Sequence, residues 1–446
     1  VEFLKSLWDV RKDADSKGFP TTGERKLVMI LIGFTDLPFT KTLTDFNNLM
    51  NQSGYAVNGA SGSVKDWFSA NSFQQLSLTT VVAGPYTASH TQSYYGGNNS
   101  SGDDSNPRAL ASEAVNLANN DVNYAEFDND NNGSVDGVYI LFAGHGEEAG
   151  GGADAIWSHA WSLSSPVTLD GKQISKYSCS PELSGSSGTT ITNIGVICHE
   201  FSHVCGLPDF YDTDYSGSGG QSFDLGDWDP MAGGSWNNSG KTPPFHNCWS
   251  RNDLGWQTAT LLSNPETIIL PNSAQNNLSY KISTSVNNEY FMVENRQKIS
   301  WDSYVPYHGL LIYHVDENYS GWSSNDINST PSHQGMDIEE ADNLQSESNV
   351  SGDPFPGSSN KNQFTDNTVP NMKTWSGSNT GKPITNITEN STTKEITFDF
   401  MGGGLPNPVG FSGTGINTSQ ISLNWSLNAM SHSVIIIYNT TNVFGA

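Results

Sequence analysis

Positive charge is scarce in this sequence: 20 Lys and Arg stand against 46 Asp and Glu, a formal net charge of -26 over 446 residues. So acidic a chain repels phosphate backbones and anionic lipid, which disfavours nucleic-acid and anionic-membrane partners and favours bound cations. Acidity alone also describes an ordinary soluble surface. Long apolar runs are missing as well. None approaches the roughly 20 residues that span a bilayer, and the N-terminus has no basic stretch leading into an apolar signal core. The chain therefore reads as already trimmed of a leader. Phe3, Leu4, Leu7 and Trp8, at helical spacing within residues 1–22, fit either a propeptide remnant or an ordinary docking helix. Cysteine is rare too: Cys179, Cys198, Cys205 and Cys248 lack the paired spacing of a zinc ribbon. An exported chain tends to pair its thiols, and three pairings are possible. Cys198 and Cys205 share a helix face but lie too far apart along it to bond each other. Cys179 with Cys198 and Cys205 with Cys248 is the expected pairing.

What the sequence does have is material for a core: 35% hydrophobic residues, including 12 Trp, 16 Tyr and 20 Phe. That suffices for one large core or for two to three domains. LVMILIGF (27–34) and DGVYILFAG (136–144) read as buried strands, and QLSLTTVVAGP as a strand that stops at Gly84 and Pro85. Helices are predicted from Ser63, over 107–120 after Pro107, and over 192–206. From about 262 the texture turns to short strands, YKISTS, YFMVENR and GLLIYHVD, as a mainly β lower portion of the same unit. GGGLPNP (402–408) is a linker by composition. Beyond it, ISLNW and VIIIYN alternate like the start of a fibronectin type III module, too short for a whole sandwich. The expected class is α+β, divided as an N-terminal segment (1–22), a catalytic core (23–261), its β portion (262–402), and linker plus partial module (403–446).

The chemistry concentrates in HEFSHVCGLPD, residues 199–209. His199 and His203 lie one helical turn apart, so both imidazoles leave the same face and can grip one ion. Glu200 beside them is placed to take a proton from a water that the metal activates, which makes it the expected general base. Gly206 lets the chain break and return, so that Asp209 can supply a third ligand. Two incidental histidines on a surface helix are the bland reading, and the added Gly and Asp weigh against it. Glu294, a downstream glutamate of the kind used as third ligand in thermolysin-like sites, is the rival to Asp209, but it falls in a predicted strand. Met231, in the glycine-flanked DWDPMAGGSW, fits an apolar turn beneath the metal; a lone Met is otherwise core filling. His145 and His159 are left without a role.

DNDNNGSVD (128–136) sets Asp128, Asp130, Asn132, the Ser134 carbonyl and Asp136 at alternating positions around Gly133, the oxygen set calcium prefers. Tyr139 stands where an EF-hand needs its bidentate acid, so a static clip is expected, or else an unoccupied acidic turn. Asp212, Asp214, Asp224, Asp227 and Asp229 either bind more calcium or solvate a loop.

Together these segments resemble the immune inhibitor A metallopeptidases over most of residues 20–400: LVMILIGFTDLPF, AGHGEEAGGG with IWSHAW, HEFSHVCGLPDFYD, DPMAGGSW, NEYFMVENRQ and GLLIYHVD. The resemblance implies a metzincin-like fold. It implies an endopeptidase made with a propeptide, cutting proteins outside the cell and stabilised by calcium, with His199, His203 and Asp209 on zinc and Glu200 as base. Two departures are Cys205 in the active helix and the lack of a Tyr after Met231, which leaves the oxyanion donor open. A monomer is favoured. The rival readings are a calcium-stabilised adhesin on a protease-like fold and a zinc peptidase restricted to glycosylated substrates.

Overall fold

The computed structural model describes residues 18–215, 217–345, 350–404, 409–417 and 420–426. The apolar residues of 1–17 and the VIIIYN strand lie outside them.

The first sheet is built from β1 (Gly23–Gly33), β2 (Leu76–Thr87), β3 (Val138–His145), β4 (His159–Leu169) and β5 (Lys172–Leu183), in the order β2-β1-β3-β5-β4. β1 runs parallel to β2 and β3, and β3 to β5; only the edge strand β4 is antiparallel. A sheet covered on both faces needs apolar side chains in both directions, which explains the unbroken run in β1. Leu27, Met29 and Leu31 enter one core, and Val28, Ile30 and Ile32 the other. On the first side lie α1 (Leu43–Asn51) and α2 (Val64–Asn71), each opened by a capping box, Thr42 with Asp45 and Ser63 with Asp66. On the second lies α3 (Pro107–Ala118), with proline in its first turn and Leu110, Ala111, Ala114 and Val115 inward. β2 does not stop at Gly84 and Pro85. It continues to Thr87, and a register shift between Ile30 and Ile32 of β1 absorbs the interruption.

The second sheet orders β11 (Met336–Ile338), β10 (Gly309–Asp316), β9 (Glu289–Arg296), β8 (Tyr280–Ser283) and β6 (Thr260–Leu261); β12 (Ile384–Asn390), β13 (Glu395–Phe400) and β7 (Glu266–Leu270) form a third. β9 and β10 are buried at every position. Tyr290, Met292, Leu311, Tyr313 and Val315 join the core beneath the first sheet, while Phe291, Val293, Leu310 and Ile312 pack toward Ile268, Ile396 and Phe398 of the third. The β portion thus shares a wall with the core that carries the helix of residues 194–204. β14 (Val409–Asn417) and β15 (Gln420–Ser426) make a separate antiparallel pair.

The expected disulfides do not form: all four cysteines are free and buried. Cys179 belongs to the core on one side of the first sheet and Cys198, Cys205 and Cys248 to the core on the other, so the sheet stands between Cys179 and its expected partner. Each thiol is packed as a small apolar side chain, and burial pushes all four thiols up, away from the thiolate form that oxidises. In guanidinium without reductant, a thiol-specific dye should titrate four thiols per chain; a count of two would show that one pair is oxidised.

Candidate metal centre and cleft

α4 (Ile194–Val204) turns Ile194, Ile197, Cys198, Phe201 and Val204 into the core, at the spacing of one helix face. Phe201 meets Phe19 and Phe68 edge-on, with ring centroids 4.9 and 5.3 Å apart. A Cβ on Gly195 would lie 1.9 Å from the Ser235 carbonyl, so only glycine lets the helix approach that turn. At the other end Gly206 adopts φ +108°. Its N–H donates to the His203 carbonyl (2.9 Å) and that of Leu207 to the Ser202 carbonyl (3.0 Å), a Schellman ending that reverses the chain. Three residues on, Asp209 reaches the histidines.

The result is a nearly equilateral triangle. His199 Nε2 and His203 Nε2 are 3.2 Å apart, and each is 3.2 Å from Asp209 Oδ1. Three corners of a tetrahedron with metal–ligand bonds of about 2.0–2.1 Å would be about 3.3–3.4 Å apart. The tautomers agree, because each Nδ1 faces a carbonyl that can only accept: Pro230 for His199 (2.7 Å) and Leu207 for His203 (2.8 Å). In the neutral rings this leaves both Nε2 lone pairs directed inward, beside an Asp209 Oδ1 that is buried without a hydrogen-bond partner. Burial opposes charge on all three groups. Even so, the imidazoles hold the Asp209 carboxyl well below the usual carboxylate range, and Asp209 in turn raises both histidines. The cluster calls for a cation. Glu200, with donor atoms within 4.8 Å of both imidazoles, completes a His–Glu–His group. Burial, helped by Asp209 and Glu148, pushes its carboxyl up to about 8 despite the opposing His199, and its Oε2 is unpartnered.

The sequence profile described as immune inhibitor A peptidase M6, catalytic domain, matches residues 15–258. The chain belongs to the immune inhibitor A peptidase family. It is 32% identical over 278 residues to the pre-pro-metalloprotease PrtV of Vibrio cholerae serotype O1, covering 51% of this chain and 29% of that protein. To the immune inhibitor A of Bacillus thuringiensis subsp. alesti it is 38% identical over 123 residues, 26% of this chain and 18% of that one. The chain therefore spans less than a third of these curated relatives. The family is one of metallopeptidases, and its need for a metal meets a donor set in this chain that fits one.

In this family member Met231 is fully buried in the core that holds Ile197 and Phe201. Its backbone ties the site together: the Met231 carbonyl accepts the Phe210 N–H at 2.8 Å, next to Asp209, while Pro230 holds His199. Asp229 fixes this turn by accepting the N–H groups of Met231 and Asn247, both at 2.7 Å. Glu294 lies elsewhere, bonded to the Tyr313 hydroxyl (2.8 Å) and paired with Arg296, which also clasps Asp302. His159 lines the cleft, but its nitrogens face the Trp157 carbonyl and the Tyr177 hydroxyl. His145 is not among the lining residues. In the acidic loop Asp128 accepts from the N–H groups of Asn132 and Gly133 and pairs with Lys172 at 2.5 Å. Asp130 accepts from Asn132, Asn132 from the Ser134 N–H, and Asp136 from Asn129.

Sequence reasoning missed Asn325. Its amide donates to Asp209 Oδ2 (2.7 Å) and its Oδ1 accepts the Asp209 N–H (2.8 Å), so a loop 116 residues away orients the carboxylate. No local motif marks it. Tyr211, stacked 6.4 Å from the His199 ring, and Glu148, bonded to Ser158, stand within the family-like segments HEFSHVCGLPDFYD and AGHGEEAGGG. Asn325 sits at φ +59°, so glycine is the least strained way to delete its amide. Asn325→Gly should weaken metal binding about ten- to a hundredfold in chelator competition, with the circular dichroism unchanged.

Proposed function

We propose that this chain is a secreted zinc endopeptidase of metzincin-like architecture, acting on peptide bonds of extracellular proteins. The observation that carries the reading is the triangle of acceptor atoms, two of whose corners, His199 and His203, line a cleft of about 930 Å³ together with Glu200, while Asp209 closes it from the buried side. His199, His203 and Asp209 would hold the ion, and zinc suits two imidazoles and a carboxylate. When bound, zinc supplies Lewis acidity toward the scissile carbonyl and makes water easier to deprotonate. Glu200 then takes a proton from the attacking water and delivers it to the leaving amine. Burial alone would leave Glu200 protonated near neutral pH; the charge of an adjacent cation favours its carboxylate, the form a base requires. Met231 serves as the apolar floor of the site, and Gly206 as the turn that delivers Asp209.

Calcium is the second proposed ion, at Asp128, Asp130, Asn132, Ser134 and Asp136, where it must compete with the Lys172 ammonium for Asp128. In the proposed division, residues 23–261 form the catalytic core, 262–402 its β portion, and β14 and β15 the opening hairpin of a fibronectin type III-like module. No helix among the described residues is long and apolar enough to cross a membrane, which accords with an extracellular enzyme.

Glu200→Gln should retain one zinc per chain and lose casein-hydrolysing activity by about 10²- to 10⁴-fold. If both proteins bind zinc and neither cleaves casein, the adhesin or glycosylated-substrate reading takes its place. Saturating calcium should raise the thermal midpoint by about 3 °C or more, a response that Asp130→Asn should abolish; an unchanged midpoint in the parent chain would contradict the calcium assignment.

A further inference from the structure

The cleft wall holds nine Asp and Glu side chains and, among the described residues, no Lys or Arg. In so acidic a protein that alone would say little. Asp104 is different in kind. It is only 6% exposed, its Oδ2 accepts the Trp157 N–H at 3.1 Å, and its Oδ1 is buried with no hydrogen-bond partner. A carboxylate oxygen left unsatisfied in a protein interior costs stability, and such atoms persist where something else completes them. Burial together with the like charges of Glu147, Glu148 and Asp103 pushes this carboxyl up to about 8, so the surroundings supply no counter-charge. Over the same wall the Trp157 side chain is 48% exposed, an unusual outlay for an indole.

We propose that Asp104, flanked by Trp157 and Glu147, is a specificity-determining subsite that receives a lysine or arginine side chain of the peptide substrate. This inference rests on the peptidase reading. The aliphatic stem of such a side chain can lie against the indole face, its cation can add an attraction to the ring quadrupole, and its N–H groups can satisfy the orphan oxygen. Asp104 lines the cleft beside Trp157 and Glu147, so a cation seated there comes within reach of its carboxyl group. The same residues suit a divalent cation poorly. Both Glu148 oxygens are engaged by the N–H and hydroxyl of Ser158, and Glu147 Oε1 accepts from Asn98. That leaves far fewer free oxygens than the six to eight calcium gathers.

The test uses the zinc-loaded chain and paired fluorogenic peptides that differ only by arginine or its neutral isostere citrulline, placed in turn on each side of the scissile bond. The parent enzyme should prefer arginine at one position by about tenfold or more in kcat/KM, and Asp104→Asn, which preserves shape and the Trp157 contact, should bring that ratio to about one. Trp157→Ala, a change at an exposed side chain, should lower the same ratio through KM. A parent ratio near one at every position, or a ratio untouched by both variants, overturns the subsite while leaving casein hydrolysis, and with it the peptidase reading, intact. Loss of all peptide and casein cleavage by the zinc-loaded parent would instead remove the reading on which the subsite depends.

Discussion

Two imidazole lone pairs and a carboxylate oxygen, all within 3.2 Å of one another on largely buried side chains, repel unless a positive charge lies between them. At such separations in a poorly screening interior, electrostatics is among the strongest forces a fold must manage. Much of the architecture around the site can be understood as the means of enforcing this arrangement. The helix supplies two corners because its pitch stacks residues 199 and 203, and the Schellman ending at Gly206 brings the third. The carbonyls of Pro230 and Leu207 remove the freedom of the rings to rotate away.

The second sheet belongs to the same mechanism. The Asn325 loop follows β10, whose neighbours in the ladder share a core with the metal-site helix, and that loop grips Asp209 from behind. Removing the β portion would therefore expose apolar surface and also free the third corner of the triangle to turn. The buried Arg296, Glu294 and Asp302 cluster has a comparable bracing role: Asp302 holds the backbone of Phe245 (2.9 Å), two residues before the Asn247 that anchors Asp229 and the methionine turn.

Much of this was legible in the sequence because it depends on local periodicity. The continuous apolar run of β1, the capping residues Ser63 and Asp66, the helix of residues 194–204 and the hairpin of β8 and β9 each declare themselves within a dozen residues. The triangle was legible for the same reason, since all of its corners fall between 199 and 209. What escaped depends on distant chain segments meeting. The cysteine pairing failed because two-sided burial of the sheet separates Cys179 from Cys198, which spacing cannot reveal. The passage of β2 through Pro85, the Lys172 ammonium on Asp128, the Asn325 grip on Asp209 and the orphan oxygen of Asp104 are likewise tertiary facts.

The central claim is that one zinc ion sits among His199, His203 and Asp209, and X-ray absorption at the zinc edge on the zinc-loaded chain tests it most directly. The account predicts a first shell of nitrogen and oxygen alone at about 2.0–2.1 Å, with the imidazole scattering of two histidines. A sulfur contribution near 2.3 Å, which would bring one of the buried cysteines onto the metal, or a shell with no imidazole signature, would contradict it.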